Sequence, residues 1–296
     1  MSDIENISDL IAGNHDFWEQ AAGIHGTTAE DRYYQLDRVI AGGTLMTSIE
    51  ENALAYATDA PIDEPLARVS GLDILYLQSH IGVDGVVLAR AGAHVTCADF
   101  SAVALERALE LASKVGVTIE TVETDSRNLP VSLHGRFDIV YVTIGAICWI
   151  DDLELWMRQV SLALHPGGKL VMFEIHPIYQ MFNKRVPELI ADFPYGDGGL
   201  FTESGSGSYA DPSSEITSTT TNFAHSIANV TNSAISAGLR IDRLDEFVEM
   251  AFDPRGDELL QQGEDGLWRL LLGRGANPED PPEGLPVAFA VIATKV

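Results

Sequence analysis

Basic residues are scarce in this chain: 18 Lys and Arg stand against 44 Asp and Glu in 296 residues, a formal net charge of −26 at pH 7. Such a field repels phosphate backbones and anionic lipid surfaces, which argues against nucleic acid and membrane partners. On its own the acidic surface implies solubility and no specific partner. Cysteine is scarcer still. Cys97 and Cys148 are the two in the chain, and both fall in segments read as buried strands, so neither a disulfide nor a metal cluster is expected. No apolar run approaches the roughly 18 residues of a membrane span, and the opening MSDIENISDL lacks the basic and apolar regions of a leader. A cytoplasmic globular enzyme is the expectation. There is no internal repeat and no coiled-coil heptad.

What the chain does have is an uninterrupted strand, turn, helix and strand from Asp73 to Ser101, DILYLQSHIGVDGVVLARAGAHVTCADFS. Ile74, Leu75 and Leu77 make a short apolar run suited to a strand of a parallel sheet. Gly82 permits the bend into a helix over Val83–Ala91, Gly92 sits at its C′ position, and His94–Ala98 is the next strand. Asp99 follows 17 residues after Gly82, where a carboxylate at a strand end can accept from both hydroxyls of a ribose. Asp99 and Ser101 would also suit the start of a helix over Ala102–Val115. Gln78 and His80 occupy positions that a dinucleotide fingerprint gives to glycine, which weakens a nicotinamide reading.

The alternation continues with a strand over Thr118–Glu123, a polar turn at Thr124, Asp125 and Ser126, and a strand over Phe137–Val142. A loop over Thr143–Trp149, a helix ending at Leu164, a turn His165–Lys169 and a fifth strand Leu170–Ile175 follow. Later come a helix near Ala224–Ala237, a strand within Leu239–Phe247 and a last strand over Pro286–Thr294, joined by an excursion with Pro278, Pro281 and Pro282. This order predicts a doubly wound parallel sheet.

On these residues the chain resembles class I S-adenosylmethionine-dependent methyltransferases over about Leu72–Ile175 and again near the carboxyl end. Against the pattern D-x-G-x-G-x-G of that family stand Tyr76, Gln78, His80 and Gly82, so one glycine survives and the acid is absent. LQSHIGVD from Leu77 to Asp84 is similar instead to the LQ-C-H-I-G loop of a small-molecule, natural-product branch. FDIVYVTIGAICWI, HPGGKLVMFEIHP and HSIANVTNSAISAGLRIDRLDEF also resemble that branch.

The resemblance implies a Rossmann-like seven-stranded α/β fold with an N-terminal helical lid and a cap insertion after the fifth strand. It implies S-adenosyl-L-methionine as cofactor, with Gln78, Ser79 and Gly82 along its methionine and ribose. Asp99 would hold the ribose hydroxyls, Phe100 would pack on the adenine, and Asp125 and Ser126 would bond the adenine edge. Thr143, Ile144 and Gly145 would face the sulfonium. The branch includes teleocidin-type terpenoid-indole C-methyltransferases, in which methylation triggers cyclisation, although no residue here singles that reaction out.

The flanking segments divide the chain into residues 1–70 (lid or oligomerisation segment), 71–176 (cofactor core), 177–223 (cap) and 224–296 (completion of the core). Residues 1–70 carry a helix around Asp9–Ala22, then Arg32, Tyr33 and Tyr34. The resemblance implies that this segment folds over the cofactor, with Tyr33, Tyr34 and His15 as lid candidates and Tyr33 among the cofactor-binding residues; docking of the segment on a second copy, giving a homo-oligomer, fits as well. The cap, with Tyr179, Phe182, Phe193, Tyr195, Phe201 and Tyr209 among Gly/Ser-rich stretches, suggests a mobile cover over a small apolar or aromatic acceptor. An oxygen or nitrogen acceptor would use a base, for which His176 and His225 are the candidates. A carbon acceptor would need none, and aromatic faces such as Tyr179 would stabilise the cation formed. Binding of the cofactor without methyl transfer is a further alternative.

Overall fold

The computed structural model describes residues 7–27, 33–182, 190–196, 198–253, 259–264, 266–271 and 284–296. Arg32, Pro278, Pro281 and Pro282 lie outside them. Three helices lead in: α1 Ile7–Ile24, α2 Leu36–Ile40 and α3 Ser48–Thr58. The core then alternates β1 Asp73–Leu77, α4 Val83–Arg90, β2 His94–Asp99, α5 Ala102–Val115, β3 Glu120–Glu123, β4 Phe137–Val142, α6 Leu153–Ala163 and β5 Leu164–Ile175. After it come α7 Pro177–Gln180, the hairpin β6 Leu200–Ser206 and β7 Thr217–Phe223, α8 Ile227–Ser236 and β8 Leu239–Phe247. Short strands β9 Gln261–Gln262, β10 Trp268–Leu271 and β11 Gly284–Leu285 form a small sheet before β12 Ala288–Lys295.

The main sheet has the order β3-β2-β1-β4-β5-β12-β8. β1 to β5 pair in parallel, and β12 runs antiparallel between β5 and β8. This is the seven-stranded, doubly wound sheet expected from the sequence. Order reverses between β1 and β4, so the carboxyl ends of those strands flank the crevice where such sheets bind ligands. One face buries α4 and α5 residues such as Val86, Leu88, Leu105 and Ala108. The other buries Trp156, Met157 and Val160 of α6 with Val230 and Ala234 of α8. Gly85 brings α4 close to the sheet, since a Cβ there would lie 2.8 Å from Cys97 Sγ.

Two local expectations are corrected. HPGGK is not a separate turn: β5 starts at Leu164, and its extra residues bulge against β4, with Phe137 opposite Leu164 but Ile139 opposite Lys169. Gly168 makes this possible, because a Cβ there would meet the Phe137 carbonyl oxygen at 2.7 Å. Cys148 is buried but lies in a 3-10 turn, Ile147–Trp149, and not in a strand.

The N-terminal helix packs on its own chain. Asn14 clasps β7 with two hydrogen bonds, its Nδ2 donating to the Thr221 carbonyl and its Oδ1 accepting from the Thr221 N–H, both at 2.8 Å. Arg107 of α5 donates to the Ala22 carbonyl near the end of α1 (2.7 Å). α1 and the β6–β7 hairpin therefore form one cover. Asn14→Ala strips partners from two buried backbone groups, at a cost of about 1–3 kcal/mol. Amide exchange across Thr217–Phe223 should accelerate by about 5-fold or more; unchanged exchange there would show that the clasp carries no stability.

Candidate functional site

A cavity of about 610 Å³ opens at the carboxyl ends of β1, β2 and β4, beneath α1 and the hairpin. Its floor is the loop after β1. Gln78, His80 and Gly82 all have left-handed backbone, with φ of 57°, 47° and 69°. Gln78 and His80 thus hold a conformation natural to glycine, at a cost of about 1 kcal/mol or more each. Specific bonds offset it. Gln78 donates to the Ala146 carbonyl (3.0 Å) and accepts from Trp156 Nε1 (2.9 Å). Asp99 Oδ2 accepts from the His80 N–H (2.8 Å), and its Oδ1 accepts from the Ser101 N–H (2.9 Å). The Ser101 hydroxyl then caps α5 by accepting from the Ala104 N–H (3.0 Å). The helix start weighed for this corner from the sequence is present, with the acid ending the strand and Ser101 capping the helix.

Burial raises the Asp99 carboxyl to about 6 despite these bonds. On the far side of the loop, Tyr76 stands where the family pattern has an acid. Its hydroxyl lies 2.9 Å from Thr143 Oγ1, and the Thr143 hydroxyl donates to Asp84 Oδ2 (3.2 Å). The Tyr76 hydroxyl also lies 3.4 Å from that Asp84 oxygen. Asp84, from the first turn of α4, therefore supplies a carboxylate where Tyr76 has none. A second one, Glu50, comes from α3, where it closes a capping box by accepting from the Thr47 N–H (2.7 Å). Burial first, and the Asp84 charge second, push Glu50 up to about 8, while burial takes Asp84 to about 6. Both line the cavity.

The loop after β4 is set from behind by Glu174 of β5. Its carboxylate accepts from the N–H groups of Gly145 (2.8 Å), Ala146 (2.6 Å) and Ile147 (2.9 Å). Thr143, Ile144 and Gly145 consequently border the cavity. Gly145 has φ 82° and open space in front of it, the nearest atom to an added Cβ being 3.8 Å away.

The structure brings together Tyr33, Gln78, Ser79, Gly82, Asp99, Phe100, Thr143, Ile144, Gly145 and Tyr179 around this one cavity. Tyr33 donates to the Asp253 carbonyl (3.0 Å), and Tyr34 lies beside it on the wall. His15 packs on Phe100 with ring centroids 5.2 Å apart, outside the lining. Phe193, Phe201 and Tyr209 of the cap line it, while Phe182 and Tyr195 do not.

Four expected site residues lie elsewhere. Asp125 is clasped by the Arg127 guanidinium, whose Nη2 is 2.5 Å from Oδ2, and Ser126 is buried; neither borders the cavity. His176 is not placed as a base: it is the N-cap of α7, its Nδ1 accepting from the Ile178 N–H (3.1 Å) and its Nε2 bonded to Glu246 (2.7 Å). His225 is buried against the Ile150 carbonyl, 2.7 Å from Nε2. Burial lowers the pKa of both histidines, and neither lines the cavity.

Glu50, Glu174 and His25 escaped the sequence reading, and Asp84 and His80 entered it only as members of the loop pattern, with no role of their own. The T-x-x-E spacing at Thr47–Glu50 announces a helix start, and an acid inside the apolar run of β5 marks Glu174 as satisfied by something local. Neither signal says which way a carboxylate faces.

Residues 74–168 match the family model described as a methyltransferase domain. A Bacillus subtilis (strain 168) protein, the uncharacterized methyltransferase YbaJ, is 29% identical over 120 residues, 40% of this chain and 47% of that protein. The chain spans less than half the length of the curated relatives it matches. Among solved structures, the magnesium protoporphyrin IX methyltransferase of Synechocystis PCC 6803 with bound SAH superposes with a TM-score of 0.51 at 12% identity. That match covers 97% of this chain and 99% of that one. The chain has the class I methyltransferase fold. The 4+2 cyclase SpnF shares it, with a TM-score of 0.50, 13% identity and coverage of 94% and 96%.

The buried carboxylates set a pH dependence. Folded Glu50 binds a proton more tightly than the unfolded carboxyl near 4.5, so its contribution to stability is lost as pH rises through its folded value of about 8. Glu50→Gln, which keeps the capping acceptor, should therefore gain stability over wild type at about pH 8 and differ little at about pH 5 in urea unfolding. No difference between variant and wild type at either pH would mean that burial does not raise the Glu50 carboxyl.

Proposed function

We propose that this chain binds S-adenosyl-L-methionine in the loop after β1 and directs its methyl group to a small hydrophobic or aromatic acceptor in the covered chamber. The observation that carries the reading is the left-handed series Gln78, His80 and Gly82, bounded by Asp99 on one side and by Asp84 with Glu50 on the other. The donor set fits the cofactor's chemistry: two buried carboxylates suit a molecule with an ammonium and a sulfonium, and a strand-end acid suits a ribose. The matched methyltransferase domain supports the same cofactor.

Asp99 holds the ribose hydroxyls and Phe100 packs on the adenine. Gln78, Ser79 and Gly82 follow the ribose and methionine, and Asp84 with Glu50 balances the ammonium. Thr143, Ile144 and Gly145, fixed by Glu174, face the sulfonium. The cofactor supplies an activated methyl group. The chain's own task is to align the acceptor and exclude water, which falls to Phe17, Trp18, Trp149, Tyr179 and Tyr209 around the chamber.

With His176 and His225 bonded outside the cavity, an acceptor that needs no deprotonation before attack fits best. An electron-rich carbon is one such acceptor, and aromatic walls stabilise the cation it becomes. C-methylation of a terpenoid group with cyclisation is one form of this chemistry. Oxygen or nitrogen methylation assisted by a histidine base fits less well. Cofactor binding without methyl transfer is the second reading; the fold is shared by a cyclase as well as by a methyltransferase. If copies assemble through α1, they use its outer face, its inner face being taken by β7. We place the protein in the cytoplasm; among the described residues no helix is long and apolar enough to cross a membrane.

Asp99→Ala should weaken S-adenosylhomocysteine binding by about 10- to 100-fold, the worth of hydrogen bonds to a charged acceptor, in a calorimetric titration. An unchanged dissociation constant would remove Asp99 from the ribose site. Mass spectrometry of acceptor candidates incubated with S-adenosylmethionine then separates transfer from mere binding.

A further inference from the structure

The reading above leaves one buried group of side chains unused. His80 contributes only its backbone N–H to the cofactor loop. Its side chain leaves the loop, and Nε2 lies 2.8 Å from Nδ1 of His25, a fully buried residue just beyond the end of α1. The other His25 nitrogen, Nε2, lies 3.1 Å from Ser208 Oγ, between the strands of the hairpin. One line of hydrogen bonds thus joins the cofactor loop, the end of the N-terminal helix and the cap. Aromatic rings enclose it: Tyr34 stacks on His25 at 5.0 Å, Trp18 meets His80 edge-on at 5.2 Å, and Tyr34 and Tyr209 bond through their hydroxyls.

We propose that His80 and His25 form a latch that makes closure of the acceptor chamber conditional on the binding conformation of the cofactor loop, so that cofactor enters before acceptor. His80 is then a positioning residue and not a ligand, and the proposal rests on the functional reading given above. Glycine would satisfy the backbone of position 80 without cost. A histidine is held there at φ 47° against a left-handed penalty by the Asp99 bond to its N–H, and its ring adds a second bond, to His25, that runs from the loop to the end of α1. The loop conformation and the closed cover therefore stabilise each other, and a ligand that fixes one must favour the other to the same degree. One ring nitrogen donates and the other accepts along the His80–His25 bond; burial first, then the neighbouring His25 and Arg107, lower the His80 pKa well below its usual value.

His80→Gly tests this directly, because it relieves the strained backbone while cutting the line. S-adenosylhomocysteine is the probe, and the readouts are calorimetry and hydrogen exchange of the full chain. In wild type, the ligand should protect not only residues 78–82 but also α1 and β7. In His80→Gly the ligand should still bind, weakened about 2- to 10-fold, the worth of one hydrogen bond, and the added protection of α1 and β7 should vanish. His25→Ala should lose it equally, and His25→Asn, which keeps a polar atom near the Nδ1 position, should recover part of it. Ligand-induced protection of α1 and β7 that persists in His80→Gly and His25→Ala, or that is absent from ligand-bound wild type, overturns the latch. Failure of wild type to bind the ligand at all overturns the functional reading beneath it.

Discussion

The Asp99 carboxylate, at the end of a buried strand, is the constraint on which the site depends. One oxygen accepts from the His80 N–H and the other from the Ser101 N–H, so a single side chain fixes both the loop after β1 and the start of α5. Without that anchor the left-handed backbone at Gln78 and His80 would have little to hold it. With it, a loop nearly stripped of glycine keeps the shape that glycines would give, and the side chains gained are put to use. Gln78 ties the floor to Trp156 and the Ala146 carbonyl, and His80 reaches the cover.

The same logic explains the displaced charge. Tyr76 cannot supply an anion, so Asp84 and Glu50 do, from helices on either side of it in the chain. Burial raises both carboxyls, Glu50 to about 8 with help from the Asp84 charge and Asp84 to about 6, and both line the cavity. Glu174 solves a different problem, holding the loop after β4 open towards the cavity by taking up its backbone N–H groups.

The sheet was legible because β1, β2, β4 and β5 carry apolar runs separated by helices of clear period, and β8 fills Leu239–Phe247, the stretch within which a strand is expected. The crevice was legible for the same reason: Asp99, Gly82 and Thr143–Gly145 sit at or just beyond strand ends, whose place in a doubly wound sheet is fixed by topology, and all of them line the cavity. The residues that failed lie where topology does not decide orientation. His176 and His225 sit near the crevice in sequence, but a helix cap and a carbonyl claim them. Asp125 is paired with Arg127 two residues on and lies outside the cavity lining, a local pairing that composition does not reveal. Glu50 and His25 come from the N-terminal segment, whose packing against the core depends on contacts such as Asn14 with Thr221, 207 residues apart.

The central claim is that the buried carboxylates around the loop after β1 receive a cationic nucleoside. Titration calorimetry with S-adenosylmethionine near pH 6.5, repeated in buffers of different ionisation enthalpy, tests it most directly. At that pH the ligand's α-amino group is charged, and Glu50 holds its proton until the ammonium arrives. The account predicts binding with net release of protons to the buffer. Tight binding of NADH with no response to S-adenosylmethionine, or S-adenosylmethionine binding without proton release, would contradict it.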